Sequence, residues 1–145
     1  MGKLHPLLLL MPLFLAACTH DVSRHSPFAA LLGHPVTTRV PLQLAEPNIE
    51  LARENKCYLA GSISGYPLVG TIPAGHPVLF QKDKCYNGLD SSEEYLTGTV
   101  EFRGKTYPFA YFITAWDLET NAEAESDVWK PLRYDFVLPD KIGKP

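Results

Sequence analysis

The residues with the most chemistry in them stand late in the chain. Asp117, Glu119, Asn121, Glu123, Glu125 and Asp127 occupy every second position with no basic residue among them, and Trp116 and Trp129 bracket the run. In a helix, Glu119 would meet Glu123 and Glu123 would meet Asp127 at i, i+4, and each pair would repel. Extended, all six side chains share one face. In either form the segment needs solvent, a cation or a basic partner. A calcium loop requires glycine at its sixth position and a carboxylate at its twelfth. This chain has Ala122 and Val128 there, so no metal site is assigned. Two readings remain: a solvated excursion between strands, and a binding surface formed by Trp116, Asp117, Glu119, Glu123, Glu125, Asp127 and Trp129, with the tryptophans as anchors.

Catalytic spacing is missing elsewhere. Gly61-Ser62-Ile63-Ser64-Gly65 puts isoleucine where a nucleophile elbow needs serine. The chain has no phosphate loop, dinucleotide fingerprint or H-E-x-x-H. His20, His25, His34 and His76 are scattered, with His76 beside a glycine turn. We therefore assign no catalytic residue and no cofactor, and expect a non-enzyme. A net charge of −3 over 145 residues excludes a nucleic-acid binder that relies on a broad basic field. No run of 18 apolar residues is present, so no retained bilayer-spanning helix is expected.

The first 17 residues are an address rather than part of the fold. Lys3 supplies a positive start, Leu7 to Leu15 is nearly all leucine, and small residues Ala16 and Ala17 follow. That is the layout of an export signal. Leu15-Ala16-Ala17-Cys18 resembles the lipobox of bacterial lipoproteins, the class cut before its cysteine by signal peptidase II. The resemblance implies that Cys18 carries acyl chains, and each buried methylene contributes about 0.8 kcal/mol of membrane attachment. Thr19 stands where an aspartate would resemble an inner-membrane retention signal, which favours the outer membrane, facing the periplasm. With Cys18 lipidated, as the resemblance implies, Cys57 and Cys85 remain in an oxidising compartment. A Cys57–Cys85 disulfide is then expected. The two are 28 positions apart (57 to 85). Closing that loop would contribute about 3.5 kcal/mol.

The organisation that follows is residues 1–17 as signal peptide, 18–26 as a lipidated tether, and 27–145 as a single β-rich domain. Eight tether residues reach at most about 28 Å, which keeps the domain near the lipid. Ser26 to Gly33 predicts one short N-terminal helix: serine as cap, Pro27 in the first turn, glycine at the end, and Phe28, Leu31 and Leu32 as an apolar stripe. Beyond it the period is two. Val36, Thr38, Val40, Leu42 and Leu44 alternate with polar residues in a strand that Pro41 makes an edge or bulged one. Further strands are predicted at 56–60, 66–72, 76–82 and 133–138. The clearest element is a hairpin over 95–113, where Leu96, Gly98, Val100 and Phe102 face Tyr107, Phe109, Tyr111 and Ile113. Its turn is predicted at Arg103-Gly104-Lys105-Thr106, as a type II′ turn with glycine first. Alternation sends Tyr107, Phe109 and Tyr111 to the core and Phe112 to the other face, the pattern of a central strand or one beneath a partner.

The predicted fold is mainly β: a small antiparallel β-barrel or sandwich with one short helix. Ile72-Pro73-Ala74-Gly75 followed by Val78 resembles a strand start in bacterial SH3-like barrels, which favours the barrel. The expected function is a lipid-anchored, non-catalytic binding module of the cell envelope, held to the membrane through its lipid, with an envelope protein or cell-wall material as its ligand. The alternative is a periplasmic inhibitor or immunity protein against a wall-degrading or toxic cationic enzyme. For that reading, Ser64-Gly65-Tyr66 resembles the serine-glycine loops of periplasmic lysozyme inhibitors, and the negative charge would steer a basic partner. A hydrolase assembled from distant residues is the third reading.

Overall fold

The computed structural model describes residues 18–47, 54, 56–87, 92–114, 128–140 and 142. The strands are β1 (Cys18–Asp21), β2 (Pro35–Thr38), β3 (Leu42–Ala45), β4 (Cys57–Ala60), β5 (Leu68–Ile72), β6 (Pro77–Asn87), β7 (Ser92–Phe102), β8 (Lys105–Thr114) and β9 (Phe136–Val137). One six-residue helix, α1 (Lys130–Asp135), precedes β9. The strands form one sheet in the order β5-β3-β4-β8-β7-β6-β2-β9, with β1 also on β6, and the sheet curls into a half-barrel. Its inner face carries Leu42, Leu44, Leu59, Ile72, Phe80, Leu96, Val100, Phe109 and Phe136, all at 2% exposure or less. The mainly β expectation holds. The pairing is antiparallel except between β4 and β8, which run parallel through Cys57↔Phe109 and Tyr58↔Ala110.

The long β6 and β7 decide which side chains reach the interior. Val78 and Phe80 point inward, and then the register shifts between Phe80 and Lys82. The extra residue, Gln81, reverses the alternation, so Asp83 instead of its lysine neighbours faces in. Gly98 opposes Phe80 at this point, and a Cβ there would stand 1.9 Å from the Leu79 carbonyl oxygen. Only glycine lets the two backbones approach so closely.

Several expectations are corrected. The short N-terminal helix over Ser26–Gly33 is not formed; the segment is a run of turns with i→i+3 bonds, such as Leu31 N–H to the Phe28 carbonyl at 2.8 Å. A segment this short lacks the length to sustain α-helical bonding, and the Gly33 N–H donates to Phe80 of β6 instead, at 2.8 Å. The apolar stripe still docks, with Phe28 and Leu31 fully buried. The single strand across Pro41 is two, because Arg39 N–H turns to the Asp135 carbonyl at 2.7 Å and Pro41 has no N–H to continue the ladder. The strand predicted from Arg133 starts only at Phe136, after α1, whose first turn holds Pro131. The hairpin turn is shifted by one residue. Phe102 pairs with Lys105, leaving Arg103 and Gly104 at φ 51° and 77°, a type I′ turn.

The predicted Cys57–Cys85 disulfide is absent; both residues carry thiols. Cys57 is on β4 and Cys85 on β6, and β8 and β7 lie between those strands in the sheet. Three strand spacings of about 4.8 Å far exceed the ~7 Å that bridged Cα atoms tolerate.

Candidate functional site

Of the residues singled out in the acidic run, Trp116, Asp117, Glu119, Glu123, Glu125 and Asp127 lie outside the described residues, as does the 1–17 segment. Trp129 is described and is half-buried. Its ring packs edge-on against Phe28 with centroids 4.7 Å apart, which ties it to the core. His76 is a structural residue: its N–H donates to Thr38 Oγ1 at 3.0 Å, and its ring Nε2–H donates to the Glu101 carbonyl. Cys18 opens β1, opposite Asn87. Residues 18–26, expected to be a loose tether, are the strand β1 followed by a 3-10 turn at Ser23–His25.

The outer face of the sheet carries what alternation could not assemble, because its members come from separate strands and a loop. Lys84 pairs with Tyr95, Tyr95 with Phe112, Ala110 with Tyr58, Tyr58 with Ala45 and Ala45 with Leu68, so these residues share one side. Four rings touch in sequence across it: Tyr95–Phe112 at 5.2 Å, Phe112–Tyr58 at 5.6 Å and Tyr58–Tyr66 at 5.2 Å. Such contacts contribute about 0.5–1.5 kcal/mol each beyond burial and hold the rings in a fixed row. Exposure grades along the row. Tyr95 is buried, Phe112 and Tyr58 are half-buried, and Tyr66 and Leu68 are 41% and 49% exposed. Gly65, at φ 82°, turns the loop that presents Tyr66.

Charge closes the buried end. Glu54 bonds Lys56 at 2.8 Å and Lys84 at 3.4 Å. Burial alone would raise the Glu54 carboxyl, but the two ammoniums outweigh it and hold it below the ordinary range. Tyr95 is pushed up by burial and by Glu54, so its phenol stays neutral. The face is thus aromatic and open at the Tyr66 end, and ion-paired at the Lys84 end.

Two acid sites lie inside. The Asp83 carboxylate is fully buried and accepts the Ser26 hydroxyl on Oδ2, while Oδ1 has no donor if every neighbouring acid is ionised. Glu94, on the same face of β7, meets it side chain to side chain. Burial first, and then the Asp83 carboxyl, push Glu94 up to about 7. A protonated Glu94 can donate to the Asp83 carboxylate. In the second site the Tyr111 hydroxyl donates to Asp135 Oδ2 at 2.6 Å. Burial raises both groups, and the tyrosine bond offsets part of the rise at Asp135. Among the described residues no group of three His, Cys, Asp or Glu side chains converges to hold a metal. Cys57 is kept as a thiol by burial and by Glu46.

The class defined is a curled β half-barrel with an aromatic outer face. Compared with protein-family models, curated proteins and solved structures, the chain matches none.

Proposed function

We propose that the chain is a lipid-anchored cell-envelope lipoprotein that acts as a non-catalytic binding module facing the periplasm. The lipobox-like Leu15-Ala16-Ala17-Cys18 supports the anchor. One observation carries the binding role: the row of rings Tyr95–Phe112–Tyr58–Tyr66, locked by mutual contact and open at Tyr66 and Leu68. Rigid aromatic side chains bind at low entropic cost, since little freedom remains to be lost. The partner in this reading is an envelope protein. An SH3-like closure of the half-barrel belongs to the same proposal and is supported by the Ile72-Pro73-Ala74-Gly75 turn leading into β6.

Capture from envelope extract tests it. Wild type and a Tyr66→Ala/Leu68→Ala variant, checked for equal folding by circular dichroism, are compared by mass spectrometry. The variant should lose the proteins that wild type retains; the same set from both removes the aromatic face as the binding surface. A Glu119/Glu123/Glu125→Ala arm tests the acidic run in the same way.

The second reading, an inhibitor of a cationic wall-degrading enzyme, is favoured by the exposure of Ser64, Gly65 and Tyr66 as a loop. Its association rate with lysozyme should fall as salt rises. Absence of binding at low salt sinks it.

A further inference from the structure

The chain leaves no slack between Cys18 and the sheet. All four residues of β1 are paired with β6, as Cys18↔Asn87, Thr19↔Tyr86, His20↔Cys85 and Asp21↔Lys84. Beyond the ladder the pinning continues on one residue. Val22 N–H donates to the Asp83 carbonyl at 2.9 Å, Asp83 N–H donates to Ser23 Oγ at 3.0 Å, and the Ser26 hydroxyl donates to the Asp83 carboxylate. Ser26 Oγ in turn accepts Phe28 N–H at 2.9 Å, and Phe28 is fully buried. Residues that would reach about 28 Å if loose are laid along β6 and fastened to the core.

We propose that the sheet end formed by Cys18 and Asn87 lies directly on the lipid surface, so that the domain stands on the membrane in one orientation instead of floating on a leash. The inference rests on the lipoprotein reading above and names what that reading leaves open, the surface that meets the lipid. Acyl chains on the sulfur and amino group of Cys18 anchor only by entering hydrocarbon, which brings the Cys18 backbone to the headgroups. Asn87, its partner across the ladder, is one strand spacing away, about 4.8 Å, and comes down with it. β6 and β7 then rise from the membrane. Their far end, with the Gly75 and Arg103-Gly104 turns, stands about 30 Å higher at ~3.3 Å per residue. The row of rings on the outer face is held upright, facing sideways.

The test uses the full lipidated protein, extracted from membranes and placed in nanodiscs of phosphatidylethanolamine and phosphatidylglycerol that contain a headgroup-spin-labelled lipid. Intact mass first establishes the acyl chains; an unmodified mass overturns the anchor and this inference with it. In acylated protein, amide signals of Thr19, Tyr86 and Asn87 should be lost to paramagnetic broadening, while those of Gly75 and Gly104 persist. The amides of His20 and Val22, the alternate positions that face β6, should also be slow to exchange with solvent. Acylated protein with sharp signals at both ends, or with rapid exchange at His20 and Val22, overturns the direct seating while leaving the lipoprotein reading intact. A variant with Gly-Ser residues inserted between Cys18 and Thr19 should keep the acyl mass and regain the Tyr86 and Asn87 signals.

Discussion

A carboxyl pair in which one member, Asp83, is fully buried and the other, Glu94, half-buried is unusual because two neighbouring negative charges repel and lose part of their hydration. Glu94 lowers that cost by keeping its proton, since burial and the neighbouring Asp83 raise it to about 7. The groups around them are the hydroxyls of Ser23 and Ser26, Leu96 opposite Asp83, and Cys85 and Thr114 on either side of Glu94, with His20 and Asp21 on β1 and Lys82 and Lys84 on the opposite face. The consequence for stability has a definite sign. An unfolded glutamate releases its proton near pH 4.5, whereas folded Glu94 keeps it to about 7. Its contribution is therefore complete below pH 4.5, declines as pH rises through the interval, and is gone above about 7. Glu94→Gln retains a donor for the Asp83 carboxylate without a proton to lose. Urea unfolding across pH 4–8 should show wild type falling relative to Glu94→Gln between the two limits; parallel curves would mean that folded Glu94 does not hold its proton to about 7.

At the scale of elements, the hairpin of β7 and β8 shows what a rigid turn demands. A type I′ turn needs positive φ at both central positions, and Arg103 meets that at φ 51° without being glycine or asparagine. Its ring contact with Phe102 is at the surface and offsets only part of the strain. Arg103→Asn should stabilise the protein by about 0.5 kcal/mol, read as a higher urea midpoint with an unchanged slope. A lower midpoint would show that the arginine contacts outweigh the strain. The hairpin itself is legible because alternation runs unbroken on both strands; of Tyr107, Phe109 and Tyr111, which it assigns to the core, Phe109 and Tyr111 are buried and Tyr107 packs half-buried against them. Asp83 is not legible in the same way. Read from Val78 and Phe80, an odd-numbered position faces solvent, and nothing local announces that Gln81 is the extra residue. α1 did carry a signal, Pro131 in its first turn, which the apolar residues of 133–138 masked. The aromatic row was illegible for another reason: Tyr95 meets Phe112 within the hairpin, but Tyr58, and Tyr66 with it, joins them only once β4 pairs in parallel with β8, a choice that no local pattern dictates.

For the whole molecule, the curl of the half-barrel is held by packing around Phe28, Phe80, Phe109 and Phe136 and not by a covalent staple. Reducing agent should therefore leave the melting temperature unchanged. Thiol titration of the denatured mature domain should find both Cys57 and Cys85 reactive. A melting temperature lowered by reductant, or a mass lighter by two hydrogens, would restore the bridge. The docked β1 also orders events in time on the lipoprotein reading. A peptidase must hold the chain extended on both sides of the Ala17–Cys18 bond, and it cannot do so while Cys18 is zipped against Asn87. Maturation would then run from cut to fold: the domain closes its core while its first strand is still in the enzyme's grip, and the edge seals only after release. A precursor that zipped early would shield its own scissile bond and linger uncut in the inner membrane.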